Sequence, residues 1–141
     1  MYERSVARIF GGNKTLKHEI FTELDFADII EEGIPYQAVH KFQKYSGIND
    51  LKMAEFMSIT PKTFRRRNSR FNPTESNRAY VLAKITIEAE EAIGDKEGAL
   101  NWLNEKQPAL GGRIPYQLLS TSAGAQVVSE LLGRINYGVY S

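Results

Sequence analysis

Between Thr60 and Asn72 the chain carries Lys62, Arg65, Arg66, Arg67 and Arg70 and no acid, five cations in a protein whose formal net charge is only +1. Cations at this density suit the neutralisation of phosphate, because each such contact displaces condensed counterions from a nucleic acid. The plainer reading is a solvated basic face, or one paired with the acids Glu88, Glu90, Glu91 and Asp95. Little else in the chain suits chemistry of a site. Gly11-Gly12 and Gly111-Gly112 lack the flanking residues of a phosphate cradle. Glu88, Glu90 and Glu91 lie at offsets that do not converge on one helix face. There is no cysteine, and His18 and His40 stand apart, so a Cys/His zinc site is untenable. Neither enzymatic turnover nor a cofactor is expected.

The elements that must position the cations read as helices. Near the N-terminus Tyr2, Val6, Ile9 and Phe10 fall close to helical spacing and stop at Gly11-Gly12, which gives an arm over residues 1–13, loosely docked or held for a dimer or partner contact. From Leu16 to Glu32 the chain is helix-permissive, with Leu24, Ile29 and Ile30 apolar and Gly33 as the C′ residue. Pro35 opens a helix with Val39, Phe42 and Tyr45 on one side, ending at Gly47. Asn49 or Asp50 caps the next, whose core face is Leu51, Ala54, Phe56 and Met57, before Ser58-Ile59-Thr60-Pro61 turns the chain. A short helix, a tight turn and a basic second helix make a helix-turn-helix outline over 14–71, although the turn lacks the frequent glycine. Phe64 should point inward, leaving Lys62, Thr63, Arg66 and Arg67 outward where base edges are reached, with Arg65 and Arg70 on phosphates. Asn72-Pro73-Thr74-Glu75 is a capping-box variant that starts the longest helix. Its buried face is Leu82, Ile85, Ala89, Ala92 and Ile93, and Gly94 ends it. The fold class is all-α, with a boundary near Phe71 between the helix-turn-helix half and a C-terminal half over 72–141. A 60-residue unit buries only about 60% of its surface, so the halves should share a core or form a homodimer.

The C-terminal half opens with Leu100, Trp102 and Leu103, breaks at Pro108, Gly111 and Gly112, and restarts at Pro115. Thr121 is a good N-cap, and Val128, Leu131, Leu132 and Ile135 fall at i, i+3, i+4 and i+7. After Ile135 the tail carries Tyr137, Val139 and Tyr140 on a segment too short for a core of its own, and tyrosines suit partly wet interfaces.

The order W-L, P-x-L-G-G, P-x-x-L-L-x-T-x-x-G and R-I-x-Y-G-V-Y, spanning Trp102 to Tyr140, resembles the toxin-binding domain of the Xre/MbcA/ParS antitoxins. Upstream, Glu75-Ser76-Asn77-Arg78 is similar to that family's E-S-D-R, with Asn77 in place of Asp, and Ile114 stands where the family often has Thr. The resemblance implies a type II antitoxin, a helical homodimer that binds its own operator and masks an NAD-consuming RES-domain toxin. The masking surface would be Gly111, Gly112 and Arg113, with Arg134 and the tail Tyr137, Gly138, Val139, Tyr140 and Ser141. The alternative is a free-standing helix-turn-helix regulator without a toxin partner, and the adjacent reading frame would discriminate. No run approaches the roughly 18 apolar residues of a membrane span and no secretory leader is evident, so a soluble cytoplasmic protein is expected.

Overall fold

Side-chain caps decide where most of the helices begin. In the computed structural model, which describes residues 2–138, the chain is all-α. The N-terminal part holds α1 (Glu3–Ile9), α2 (Gly12–Leu16), α3 (Glu23–Glu32), α4 (Tyr36–Ser46), α5 (Asp50–Met57) and α6 (Pro61–Arg66). The long α7 (Pro73–Ile93) follows, then α8 (Lys96–Asn104), two 3-10 turns at Pro108–Leu110 and Pro115–Ser120, and α9 (Ser122–Asn136). Asn49 caps α5 by accepting from the Lys52 N–H at 2.9 Å, Thr60 caps α6 from Thr63, and Thr121 caps α9 from Gly124. At α3 the Asp25 carboxylate reaches back to the N–H groups of Phe21 and Thr22, and these two bonds, Phe21 foremost, hold its pKa below the ordinary value. The capping box expected at α7 is formed in both directions, Glu75 N–H to Asn72 at 2.8 Å and Asn72 N–H to Glu75 at 3.0 Å.

The chain divides into two compact units, Met1–Ala83 and Lys84–Ser141, and the division falls inside α7. The expected boundary at Phe71 lies earlier because the first turns of α7 belong to the N-terminal core, where Glu75, Ser76, Ala79 and Leu82 are buried and the Tyr80 ring lies 4.8 Å from that of Phe26.

In the N-terminal unit Phe10 sits between Phe26 and Phe42 at centroid distances of 6.5 and 5.8 Å. Val6, Ile9 and Phe10 are buried, and α1 packs on α2 and α4, so the segment expected as a loosely docked arm is part of the core. Its seven helical residues bring three apolar side chains to one face, enough to anchor a short element. Two other expectations change. Leu24 is exposed while Phe26 is buried. In α5 the core face is Met53, Ala54 and Met57, with Leu51 60% exposed. A two-turn helix leaves its phase open to the apolar pattern alone, and tertiary packing sets it.

In the C-terminal unit the 3-10 turn Pro115–Ser120 packs on both α8 and α9. Leu103, Leu110, Tyr116, Val128, Leu131 and Leu132 are buried, as the α9 stripe predicted, with Ile135 half-buried. Inside, the Tyr116 hydroxyl and the Thr86 hydroxyl share a hydrogen bond of 2.8 Å. Burial raises the Tyr116 pKa, which keeps the phenol neutral. Gly124 explains the T-x-x-G pattern. Its N–H donates to Thr121, and a Cβ there would collide with the Leu118 carbonyl oxygen, so the start of α9 can approach the preceding turn only without a side chain.

Candidate functional sites

Helix α5, the turn and α6 form the helix-turn-helix, with α4 before it. The turn needs no glycine because Ser58 takes the left-handed position with φ of 59°, while the Ile59 N–H returns to the Ala54 carbonyl at 3.0 Å. Thr60 then starts α6, and Phe64 is buried with its ring stacked 5.5 Å from that of Phe71. Lys62 and Arg66 are exposed and make no ion pair among the described residues. Thr63 is half-buried, its hydroxyl 3.0 Å from that of Thr60. Arg65 is exposed and lies 3.5 Å from Asp50, a solvent-exposed pair of little energetic consequence and easily exchanged.

Arg67 and Arg70 depart from the expectation that the whole run faces outward. Helix α6 ends at Arg66, and Arg67 has extended backbone at φ −67° and ψ 119°. It donates from Nε to Glu75 Oε1 at 3.2 Å and from Nη2 to Glu75 Oε2 at 2.8 Å. The Arg67 pKa is raised, first by this hydrogen bonding to Glu75. Arg70 turns its Nη1 to the Gly33 carbonyl at 2.6 Å. The segment after α6 is thereby clasped to the α3–α4 corner, where the Phe71 N–H meets the Ile34 carbonyl at 2.9 Å, the Tyr36 N–H meets Ser69 at 3.0 Å, and the Ile34 N–H meets Ser76 Oγ at 2.8 Å. Within its own unit the cation run finds its acid partners in Asp50 and Glu75. Glu75 and Ser76 are structural keystones that the sequence reading left without a role beyond the cap. The E-S-x-R resemblance was the signal for them.

In the C-terminal unit Gly111 and Gly112 take φ of 66° and 78°, closing a tight loop in which the Gln107 N–H meets the Arg113 carbonyl at 3.0 Å and the Gly112 N–H meets the Gln107 carbonyl at 2.9 Å. All three of Gly111, Gly112 and Arg113 are exposed. On the last turn of α9 Arg134 is half-buried, its Nε buried without a hydrogen-bond partner, and Tyr137 at the C-cap is 78% exposed, followed by exposed Gly138. No hydrogen bond or ion pair among the described residues links this group to the glycine loop. Val127, exposed on α9, is an apolar surface residue the sequence reading missed, since it lies outside the i, i+3, i+4 stripe. Val139, Tyr140 and Ser141 lie outside the described residues. Trp102 is half-buried. Glu88 accepts from Ser129 Oγ at 2.8 Å, and desolvation raises its pKa against the opposing effects of that bond and of Lys84. Among the described residues no cluster of His, Cys, Asp and Glu is placed to hold a metal, and no helix is long and apolar enough to cross a membrane.

These features define an all-α, two-unit protein in which a helix-turn-helix precedes a small helical module with an exposed glycine loop and an exposed aromatic helix end. Residues 25–84 match the antitoxin Xre-like helix-turn-helix domain, and residues 88–138 match the antitoxin Xre/MbcA/ParS C-terminal toxin-binding domain. The two matches part within α7, close to where the compact units part. The chain is 30% identical to an antitoxin Xre of Yersinia enterocolitica, covering 81% of this chain and 80% of the relative. It is 31% identical to an antitoxin Xre of Photorhabdus laumondii, over 80% and 79% of the two chains. With a Prs ADP-ribosylating antitoxin of a Sphingobium species it shares 25% identity over 84% and 82%. The chain belongs to the Xre/MbcA/ParS antitoxin family, with a helix-turn-helix domain and a toxin-binding domain.

Proposed function

We propose that this antitoxin belongs to a type II system, neutralises a RES-domain, NAD-consuming toxin by direct contact, and represses its own operon. The match of residues 88–138 to a toxin-binding domain carries the reading. The inhibitory surface is the loop Gly111, Gly112 and Arg113 together with Arg134, Tyr137 and the tail to Ser141, and it acts by closing the toxin's cleft. Exposed Tyr137 supports this, because an aromatic ring left in water is an anchor for a partner pocket. The DNA surface is Lys62, Thr63, Arg65 and Arg66. Exposed Lys62 and Arg66 on the second helix of the motif support it. A homodimer is the expected form, because a helix-turn-helix protein reads paired half-sites about 34 Å apart. The whole acts in the cytoplasm, where its toxin and operator would be.

Co-expression with the product of the neighbouring reading frame tests the reading. A stable complex, with cellular NAD preserved only while this chain is present, is the expected result. A neighbour that binds but leaves NAD untouched when expressed alone would remove the RES assignment.

A further inference from the structure

We propose that Arg67 is a positioning residue for DNA recognition and not a phosphate contact: its fork on Glu75 fixes the end of α6, and Lys62 and Arg66 are left to meet the groove. The inference rests on the DNA-binding reading above. Helix α6 has only six residues, too few to hold a direction by its own hydrogen bonds, so both ends must be fixed from outside. Thr60 fixes the first end through the Thr63 N–H at 3.1 Å. Arg67, the residue directly after the helix, fixes the second.

The geometry makes Arg67 costly to lend elsewhere. The Glu75 side chain is only 4% exposed, and its carboxylate is met by Arg67 Nε, Arg67 Nη2 and the Asn72 N–H. Turning Arg67 toward a phosphate would leave that buried acid without its cation, a strongly unfavourable state. A phosphate at the surface offers less in return, because a solvent-exposed ion pair is worth little. Arg67 itself is 35% exposed, so a basic sequence run and partial exposure coexist with a structural role. Lys62 and Arg66 have no such bond to break.

The test uses the full chain and two duplexes of equal length, one covering the region upstream of its reading frame and one unrelated. Binding is titrated over a range of salt, at a temperature where circular dichroism shows each variant folded. The variants are Arg67→Met with Glu75→Gln, which removes both charges, and Arg67→Lys, which keeps the cation but cannot make the fork. Both should lose about tenfold in preference for the upstream duplex, with the salt slope unchanged and affinity for the unrelated duplex retained. If the double variant does not fold, Glu75→Gln alone, which breaks the fork and keeps every cation, should lose the same preference, and an unchanged preference there overturns the proposal. A slope that falls by about 0.9 in the double variant and returns in Arg67→Lys would make Arg67 a phosphate contact and overturn the proposal. Unchanged preference in folded variants would overturn it as well, reducing the pair to a stabilising one. A wild-type chain that binds neither duplex overturns the DNA reading itself, and is told apart by the absence of any binding to perturb.

Discussion

The two functional regions are held in place by opposite means. In the N-terminal unit a six-residue helix depends on a polar clasp, with Arg67 on Glu75, Arg70 on the Gly33 carbonyl and Ser76 on the Ile34 N–H. In the C-terminal unit the exposed surface rides on glycine geometry and an apolar helix face: the loop closes because Gly111 and Gly112 accept positive φ, and α9 docks because Gly124 has no side chain. The lesson is that charge is an ambiguous marker of a binding surface. In the first unit, side chains of the same type and spacing divide into free cations and structural ones. In the second, the surface proposed for the toxin, Gly111, Gly112, Arg113, Arg134, Tyr137 and Gly138, is uncharged apart from two arginines.

If the C-terminal surface depends on backbone approach, the largest effect should come from Gly124→Val. Forcing a branched side chain against the Leu118 carbonyl should cost about 3 kcal/mol. Thermal unfolding and a toxin-protection assay would read it, and a variant that still protects cells would show that the close approach is dispensable. Next in size, deleting Gly138–Ser141 should weaken toxin binding by about 2 kcal/mol, the scale of a hot spot, while leaving helicity and DNA binding intact. Calorimetry against the purified partner measures it, and full affinity in the truncated chain would shift attention to Gly111–Arg113. Lys62→Ala with Arg66→Ala should lower the slope of log affinity against log salt by about 1.8 and leave toxin protection unchanged. An unchanged slope would make these two cations solvated bystanders.

Smaller effects sharpen the contrast in local strain and charge. Ser58→Gly should stabilise the helix-turn-helix by about 0.5–1 kcal/mol, because the left-handed position then costs no side-chain repulsion. Denaturant midpoints would show it. The smallest effect should be that of Glu88→Gln, within about 0.5 kcal/mol. Burial raises the Glu88 pKa in the folded chain, so ionising it costs stability as pH rises through the window between its unfolded and folded values. The variant should therefore gain on the wild type at neutral pH, with the gain vanishing as pH falls below about 4, where Glu88 is protonated in both states. Melting curves at both pH values check the sign, and an equal difference at the two would rule out the titration.

Much of the architecture was legible in local chemistry. Asn49 and Thr121 cap where their side chains announce it, the Asn72–Glu75 box forms in both directions, and the α9 stripe buries Val128, Leu131 and Leu132. The short elements were not legible in the same way. The Met1–Gly12 segment looked detachable because seven helical residues hold too little pattern to show what they pack on, yet Phe10 lies between two other phenylalanines. Helix α5 has two turns and offers either Leu51 or Met53 to the core.

What the sequence by itself determined is what depends on neighbours a few residues away: helix starts, the glycine breaks, the position of the cation run and the motif order that carries the family. Only the tertiary structure decided which cations are free. Arg67 meets Glu75 8 residues on, and Arg70 reaches Gly33 across 37 residues. An arginine's long stem lets it choose among acceptors that no spacing rule orders, so its role is settled by which buried oxygen the fold brings within reach.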